Sequence, residues 1–462
     1  MKIIAALSVA LACACAAGTP GEFQAGIARV NITPATPFWM SGYMRTNQSV
    51  GVIQQLWARA LALRDPQGHR IVIVASDLIG FHHRVSDTVF VGAKKRFGLE
   101  RADVLLTCSH THSGPVVGSN LSNTHDFTDE DNRHVQEYAT QLTDKLIGVI
   151  GESLNTLAPA RLAVGHGAAG FAVNRRQRTA TGAIQIGVNP DGPVDHDVPV
   201  LKVTSPDGKL RAVFFGYACH NTTIGGISAK DADFYKIHGD YAGQAQAELE
   251  RLHPGAMAMF TSLCAGDQNP NPRSSLQLVI QHGNTLATEV NRVLGSELRS
   301  VNTPIRTAYQ SVQLDFAAHT RQTFEDELKK AEDPKKPDRF LARRARMMLD
   351  GYDKGHPIRQ ASCPVQAIRL GSEFSIIALG GEVVVDYQLR VKREFPKENL
   401  MVIGYANDVM CYIPSQRVLR EGGYEAERNM VGYGQPGPFA ETVEETLLGA
   451  IHRAMKEVGA GK

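Results

Sequence analysis

The chain has 462 residues, of which 43% are hydrophobic and 21% charged, an ordinary globular composition with ample apolar material for a core. Lys and Arg number 49 against 47 Asp and Glu, and the net charge of +2 removes any electrostatic case for nucleic acid or an anionic membrane as partner. The expected ligand is a small molecule.

Met1-Lys2 precedes an apolar run from Ile3 to Ala17, and Ala14-Cys15-Ala16 fits an Ala-x-Ala cleavage site, so 1–17 reads as a secretory signal peptide. A lipoprotein signal using Cys13 or Cys15 is the second reading, but neither cysteine follows a convincing acceptor box. The mature protein is expected to be periplasmic or secreted. No other stretch reaches the roughly 18 uncharged apolar residues of a transmembrane span. Cleavage leaves Cys108, Cys219, Cys264, Cys363 and Cys411, an odd and scattered set that suits apolar packing better than a disulfide scaffold, with one bridge as the alternative.

Phe23 to Thr36 reads as an alternating strand ended by Pro34, followed by a loop with Gly42-Tyr43. Trp57–Arg64 and Arg70–Ala75 form a hairpin across Asp65-Pro66-Gln67-Gly68. A helix over Ser86–Phe97 leads to the strand Val104–Thr107, which runs into His110-Thr111-His112-Ser113-Gly114-Pro115, where Gly-Pro must break the chain. Asp131–Leu154 reads as a long amphipathic helix, Arg161–Gly165 as a strand, and Asn174-Arg175-Arg176 as a loop. A second hairpin, Val198–Val203 and Leu210–Tyr217, ends in Ala218-Cys219-His220. A helix from Gly239-Asp240 to Leu252 precedes the strand Ala256–Leu263, which closes in Gly266-Asp267-Gln268-Asn269-Pro270-Asn271. Gln281–Leu298 reads as helix and Ile305–Phe316 as strand. The charged stretch around 320–355 reads as a solvated helical hairpin split at Pro334 and Pro337. Strands Val365–Leu370 and Phe374–Leu379 lead to Gly381-Glu382 and a helix towards Phe395. Leu400–Gly404 is a strand before Tyr412, and a helix over Thr442–Lys456 ends the order.

The order of elements implies an α/β fold with mixed sheets in layers. His110, His220, Asp267, Glu382 and Tyr412 all lie at or just past the ends of apolar strands, where a rigid sheet fixes side chains and loops expose them. Two histidines and a carboxylate form a known hydrolytic zinc set that leaves a position open for water. Each residue alone has a plainer reading: Glu382 as a carboxylate at a helix N-terminus, Tyr412 as a packed aromatic, His220 as a core histidine.

Asn31-Ile32-Thr33-Pro34, His110-Thr111-His112-Ser113-Gly114-Pro115, Asn174-Arg175, His220, Gly266-Asp267 with Pro270-Asn271, and Gly381-Glu382 occur in one order, and that order resembles the neutral/alkaline non-lysosomal ceramidases. Those enzymes are zinc amidases that cleave N-acyl sphingosine. The resemblance implies a single ceramidase-like catalytic domain over 23–460, with one Zn2+ per chain held by His110, His220, Glu382 and Tyr412. It also implies that His112 and Arg175 contact the reacting amide or its oxyanion. Two departures stand out. The family's Gly-Asp-Val-Ser-Pro-Asn reads Gly-Asp-Gln-Asn-Pro-Asn here, so Asn269 replaces the serine. The chain also ends at Lys462, soon after Tyr412, where ceramidases continue into an immunoglobulin-like C-terminal domain, which is expected to be missing.

Asparagine is no hydroxyl nucleophile, so the expected mechanism is attack by zinc-bound water on the carbonyl of an N-acyl amide, ceramide-like or smaller. His112 or Tyr412 would give the leaving nitrogen its proton, Asp267 would hold an imidazole in place, and Asn269 would orient substrate. An esterase or lactonase on the same scaffold, a non-catalytic zinc-containing binding protein, and a serine hydrolase using Ser109 or Ser113 are the alternatives. The last lacks a Gly-x-Ser-x-Gly elbow.

Overall fold

Alternation along the first strands decides which layer lies on each side of them. The computed structural model describes residues 23–226 and 231–461, so the signal reading for 1–17 lies outside the described residues. Strands β1 (Phe23–Asn31), β2 (Trp57–Arg64) and β3 (Arg70–Ser76) run antiparallel in turn, and β4 (Val104–Cys108) joins β3 in parallel through helix α1 (His83–Phe97). Ala60, Ala62, Val72, Val74 and Leu106 face α1 and α2 (Asp129–Asn155), where Val89, Phe90, Leu142 and Leu146 meet them. The intervening Leu61, Leu63, Ile71, Ile73 and Leu105 face the opposite way, as a period of two requires. Each such side chain taken fully from water contributes about 1.5–3 kcal/mol.

The chain then adds β5 (Ala158–Ala168), the short β6 (Ala172–Arg178) and β7 (Ile184–Asn189), the hairpin β8 (Asp197–Thr204) and β9 (Leu210–Tyr217), and β10 (Met257–Ser262). The large sheet runs β10-β9-β8-β5-β1-β2-β3-β4, with Arg299–Val301 on the side of β5. Helices α3 (Asp240–Leu252) and α4 (Leu276–Leu294) cover the outer face of β8–β10 through Tyr241, Ala245, Leu286 and Val290. The inner face, with Leu201, Phe214 and Met259, shares one core with Leu61, Ile71 and Leu105 and with Ile368, Phe374, Ile376 and Met401.

Those last residues belong to a second sheet. After β11 (Gln268–Pro270), which pairs with β6, come β12 (Ile305–Asp315), β13 (Gln360–Leu370), β14 (Phe374–Leu379), β15 (Glu382–Val383), β16 (Leu400–Ile403) and β17 (Tyr412–Ile413). The order β12-β13-β14-β16 makes a four-stranded sheet, while β15 and β17 pair with each other. The fold is therefore α/β with mixed sheets in layers, as expected. Among the described residues, no helix is long and apolar enough to cross a membrane.

Several boundaries differ from the pattern reading. Helix α2 begins at Asp129 because Thr128 and Asp131 form a reciprocal cap. Helix α4 begins at Leu276 because the Ser275 hydroxyl accepts from Leu278 N, and it stops before Gly295. The charged stretch does split, into α5 (Arg321–Ala331) and α6 (Arg339–Asp353). Asn174-Arg175-Arg176 is not a loop but the middle of β6, with Asn174 opposite Gln268. Charge hid this strand, since both arginines are buried and paired and so no apolar alternation marks it. The five cysteines outside the signal are all buried and free, matching the packing reading.

Candidate active site

The loops beyond β4, β9, β10 and β14 are stitched together. Thr111 bridges Asn221 in parallel, and the Ser262 hydroxyl donates to the Ser109 carbonyl over 2.7 Å. Gly266 N donates to Val383 O, and Tyr405 N to Gly381 O, each over 2.9 Å. Glu382 and Tyr412 sit directly opposite in the β15–β17 pair. His110 takes a left-handed φ of 60°, unusual for a residue with a Cβ, and its ring lies 4.2 Å from that of Tyr405.

His110 Nδ1 lies 2.5 Å from the Ile79 carbonyl oxygen, and His220 Nδ1 lies 2.7 Å from that of Ala265. A carbonyl only accepts, so each Nδ1 carries a proton, and in the neutral form of the ring the lone pair lies at Nε2. Both Nε2 atoms lie 3.1 Å from Glu382 Oε2, and His220 Nε2 is 3.2 Å from the Tyr412 hydroxyl. His112 Nε2 is 3.2 Å from His110 Nε2. Burial, with Arg175 nearby, pulls His220 down to about 4, so its ring is neutral at pH 7. Converging lone pairs and a carboxylate oxygen repel one another unless a cation lies between them. The donor set suits a divalent metal ion. His110, His112 and His220 stand close enough together to hold such an ion.

Tyr412 is placed differently, by charge. Arg175 Nη2 donates to its hydroxyl over 2.9 Å, Arg175 Nε to Glu425 Oε1 over 2.8 Å, and Arg175 Nη1 to Asn269 Oδ1 over 3.4 Å. Arg176 Nη1 holds the other Glu425 oxygen at 2.7 Å. All three charged groups are buried. Burial works against the Arg175 charge, but Tyr412 and Glu425 hold its pKa well above the ordinary arginine value. Tyr433 donates its hydroxyl to Glu382 Oε1, on the side away from the imidazoles.

Asp267 touches no imidazole. Its Oδ2 accepts from Asn174 Nδ2 and its Oδ1 from Val385 N, both over 2.9 Å, so it ties β6 to the start of α7 (Val385–Glu394), three residues past Glu382. Backbone carbonyls take the role expected of it. Burial, with Asp386 nearby, raises the Asp267 carboxyl to about 6. Asn269 Oδ1 also accepts from Thr222 Oγ1 at 3.2 Å. The Ser109 and Ser113 hydroxyls are buried and bond to no histidine, which gives neither a base. His112 alone of the three histidines is partly exposed. Gly42, at φ 94°, lies so close behind it that a Cβ would fall 2.5 Å from the ring carbon Cγ, and the Tyr43 ring lies 5.0 Å from the His112 ring. Pattern reading passed over Glu425, Tyr433 and Tyr43. No spacing marks the first two, whereas Gly42-Tyr43 was visible as a glycine in a loop.

These features define a mixed-sheet α/β protein of hydrolase type. The family model for the N-terminal part of neutral/alkaline non-lysosomal ceramidases matches residues 23–287, and the chain belongs to that family, whose members are hydrolases acting on amides. No curated protein matches the chain. Among solved structures, the neutral ceramidase from Pseudomonas aeruginosa is similar at 20% identity and a TM-score of 0.68, over 90% of this chain and 72% of that one. A ceramidase complexed with C2 is similar at 18% identity and a TM-score of 0.70, over 96% of this chain and 76% of that one.

Proposed function

We propose that the chain is an exported, zinc-dependent amidohydrolase, with residues 23–460 as one catalytic domain and α5–α6 as a charged insertion. The observation carrying this reading is the convergence of His110 Nε2, His220 Nε2 and Glu382 Oε2 while both Nδ1 atoms are committed to carbonyls. One Zn2+ held by His110, His220, Glu382 and Tyr412 would supply Lewis acidity and, by lowering the pKa of water, a nucleophile at neutral pH. His112, the partly exposed ring, orients the carbonyl oxygen of the amide and, with Nδ1 unpaired, carries a proton to the leaving nitrogen. Arg175 keeps two of its five N–H donors free for the developing oxyanion, the interaction that usually dominates such catalysis. Asn269 orients substrate and forms no acyl-enzyme.

The favoured substrate is an N-acyl amide, with ester and lactone hydrolysis as competing readings on the same scaffold. The test is a panel of fluorogenic N-acyl amides, ceramide included, with esters and lactones alongside, assayed with and without chelator while bound metal is counted. His110→Ala should remove both metal and activity. His112→Ala should keep the metal and lose about 10²–10³ of kcat. Stoichiometric metal with no cleavage of any panel member would leave a zinc-containing binding protein instead.

A further inference from the structure

The unexplained chemistry beside the site is basic. Arg273 follows Asn269 by four residues, on a segment tied to the loop after His220: Ser274 N donates to Thr223 O over 2.5 Å and the Ser274 hydroxyl to Gly225 O over 2.8 Å. Arg273 is partly buried, and among the described residues it has neither a hydrogen-bond acceptor nor an ion-pair partner. Its guanidinium converges with the Tyr43 hydroxyl. A Cβ on Gly225 would lie 2.8 Å from Arg273 Nη1 and 3.1 Å from Tyr43 Oη, so the two groups flank a gap that glycine leaves open.

The Tyr43 hydroxyl is buried without a partner, as is His112 Nδ1. The Tyr43 ring lies 5.0 Å from His112 on one side, and the Arg45 guanidinium stacks over it at 5.0 Å. Arg175 adds a further positive charge nearby, which works against the charge on Arg273 after burial does. The acid nearest in charge to the Tyr43 hydroxyl is Asp240. Its carboxylate is already engaged by Thr223 N at 3.0 Å and Tyr241 N at 2.7 Å, and burial raises it to about 6. The Asn269 side-chain oxygen is spent on Arg175 and Thr222, which leaves its NH2 as a donor.

A partly buried, unpaired guanidinium beside an unpaired hydroxyl and a second guanidinium is costly unless an anion completes it. Arginine binds a carboxylate through two parallel N–H bonds. We propose that Arg273, Tyr43 and Asn269 form an anion subsite next to His112, and that the amide cleaved carries a carboxylate on its amine side, making the substrate an N-acyl amino acid. The placement follows from polarity: the acyl chain needs apolar surroundings, whereas this side of His112 presents donors. A neutral amino-alcohol leaving group would leave Arg273 uncompensated.

This inference rests on the amidase reading, and its test separates the two. The purified metal-loaded protein is assayed on N-decanoylglycine and its neutral counterpart N-decanoylethanolamine, and calorimetry measures the binding of each. Hydrogen bonds between charged groups predict a preference of about 10–100-fold in kcat/KM for the glycine conjugate, carried mostly by KM. Arg273→Gln should bring the ratio near one, while Arg273→Lys should keep part of it. Because the readout is a ratio within one preparation, a loss of folded protein does not imitate it. Equal cleavage of both amides by the wild type, or a ratio untouched in Arg273→Gln, overturns the subsite and leaves the amidase standing. Arg273-dependent binding of N-decanoylglycine without turnover supports the subsite and removes the amidase.

Discussion

The two halves of the site are held by different physics. His110 and His220 are oriented by the carbonyls of Ile79 and Ala265, at the ends of strands whose positions the core already fixes. Tyr412 is oriented by Arg175, which is held in turn by Glu425 from a separate segment, and Arg176 shares that carboxylate. The first half is anchored by backbone carbonyls at strand ends, at the cost of the left-handed turn at His110. The second depends on a buried ion cluster that fails as a unit when one member is removed.

Glu425→Gln is the largest test of that contrast. It leaves Arg175 buried without its carboxylate partner and Arg176 with Glu421 alone, and should destabilise the protein by about 3–5 kcal/mol, read by urea unfolding. A loss under about 1 kcal/mol would mean that the 424–433 segment is held by its apolar contacts instead. The carbonyl-fixed half should behave otherwise. Chelation of the metal-loaded protein should remove only the linkage term, about 2.7 kcal/mol when free metal stands at a hundredfold excess over its Kd, and unfolding should remain one cooperative transition. His110→Ala should abolish that metal-dependent increment.

The same contrast explains what was legible in the sequence. His110, His220 and Glu382 follow apolar runs, and hydrophobic periodicity finds strand ends. The Arg175 strand was invisible because its inward-facing residues are charged, and their compensation comes from Glu425, 250 residues away. Asp267 was read as holding an imidazole, whereas it bonds Asn174 and Val385. Chain order could not show that backbone carbonyls already occupy both Nδ1 atoms. Thr128 and Ser275 moved helix starts through single hydroxyl caps that apolar periodicity does not weigh.

Asp408 extends the comparison to pH. It sits four residues before Tyr412, 7% exposed, with Oδ1 unpaired, and burial raises its carboxyl to about 7 with Asp87 adding to the shift. The folded state therefore holds this proton above the unfolded value of about 3.9, and the stability it contributes is lost as pH rises from about 4 to about 7. Asp408→Asn should remove that loss, raising stability at pH 7.5 by about 2 kcal/mol and changing it little at pH 4.5. Equal effects at both pH values would mean that the residue acts through its shape rather than its charge.

The smallest expected change in stability falls at Gly42, and it distinguishes orientation from binding. At φ 94° alanine is strained, and its Cβ would press on the His112 ring, which has no hydrogen bond at Nδ1 to resist displacement. Gly42→Ala should cost about 1–2 kcal/mol of stability. His110, His220 and Glu382 keep their carbonyl and strand anchors, so metal content should not change. With the role proposed for His112, handling the oxygen and the leaving nitrogen, the kinetic loss should fall on kcat rather than KM. Loss of metal instead would show that His112 is itself a ligand, which would close the position through which substrate must approach and turn the histidine cluster into a structural site.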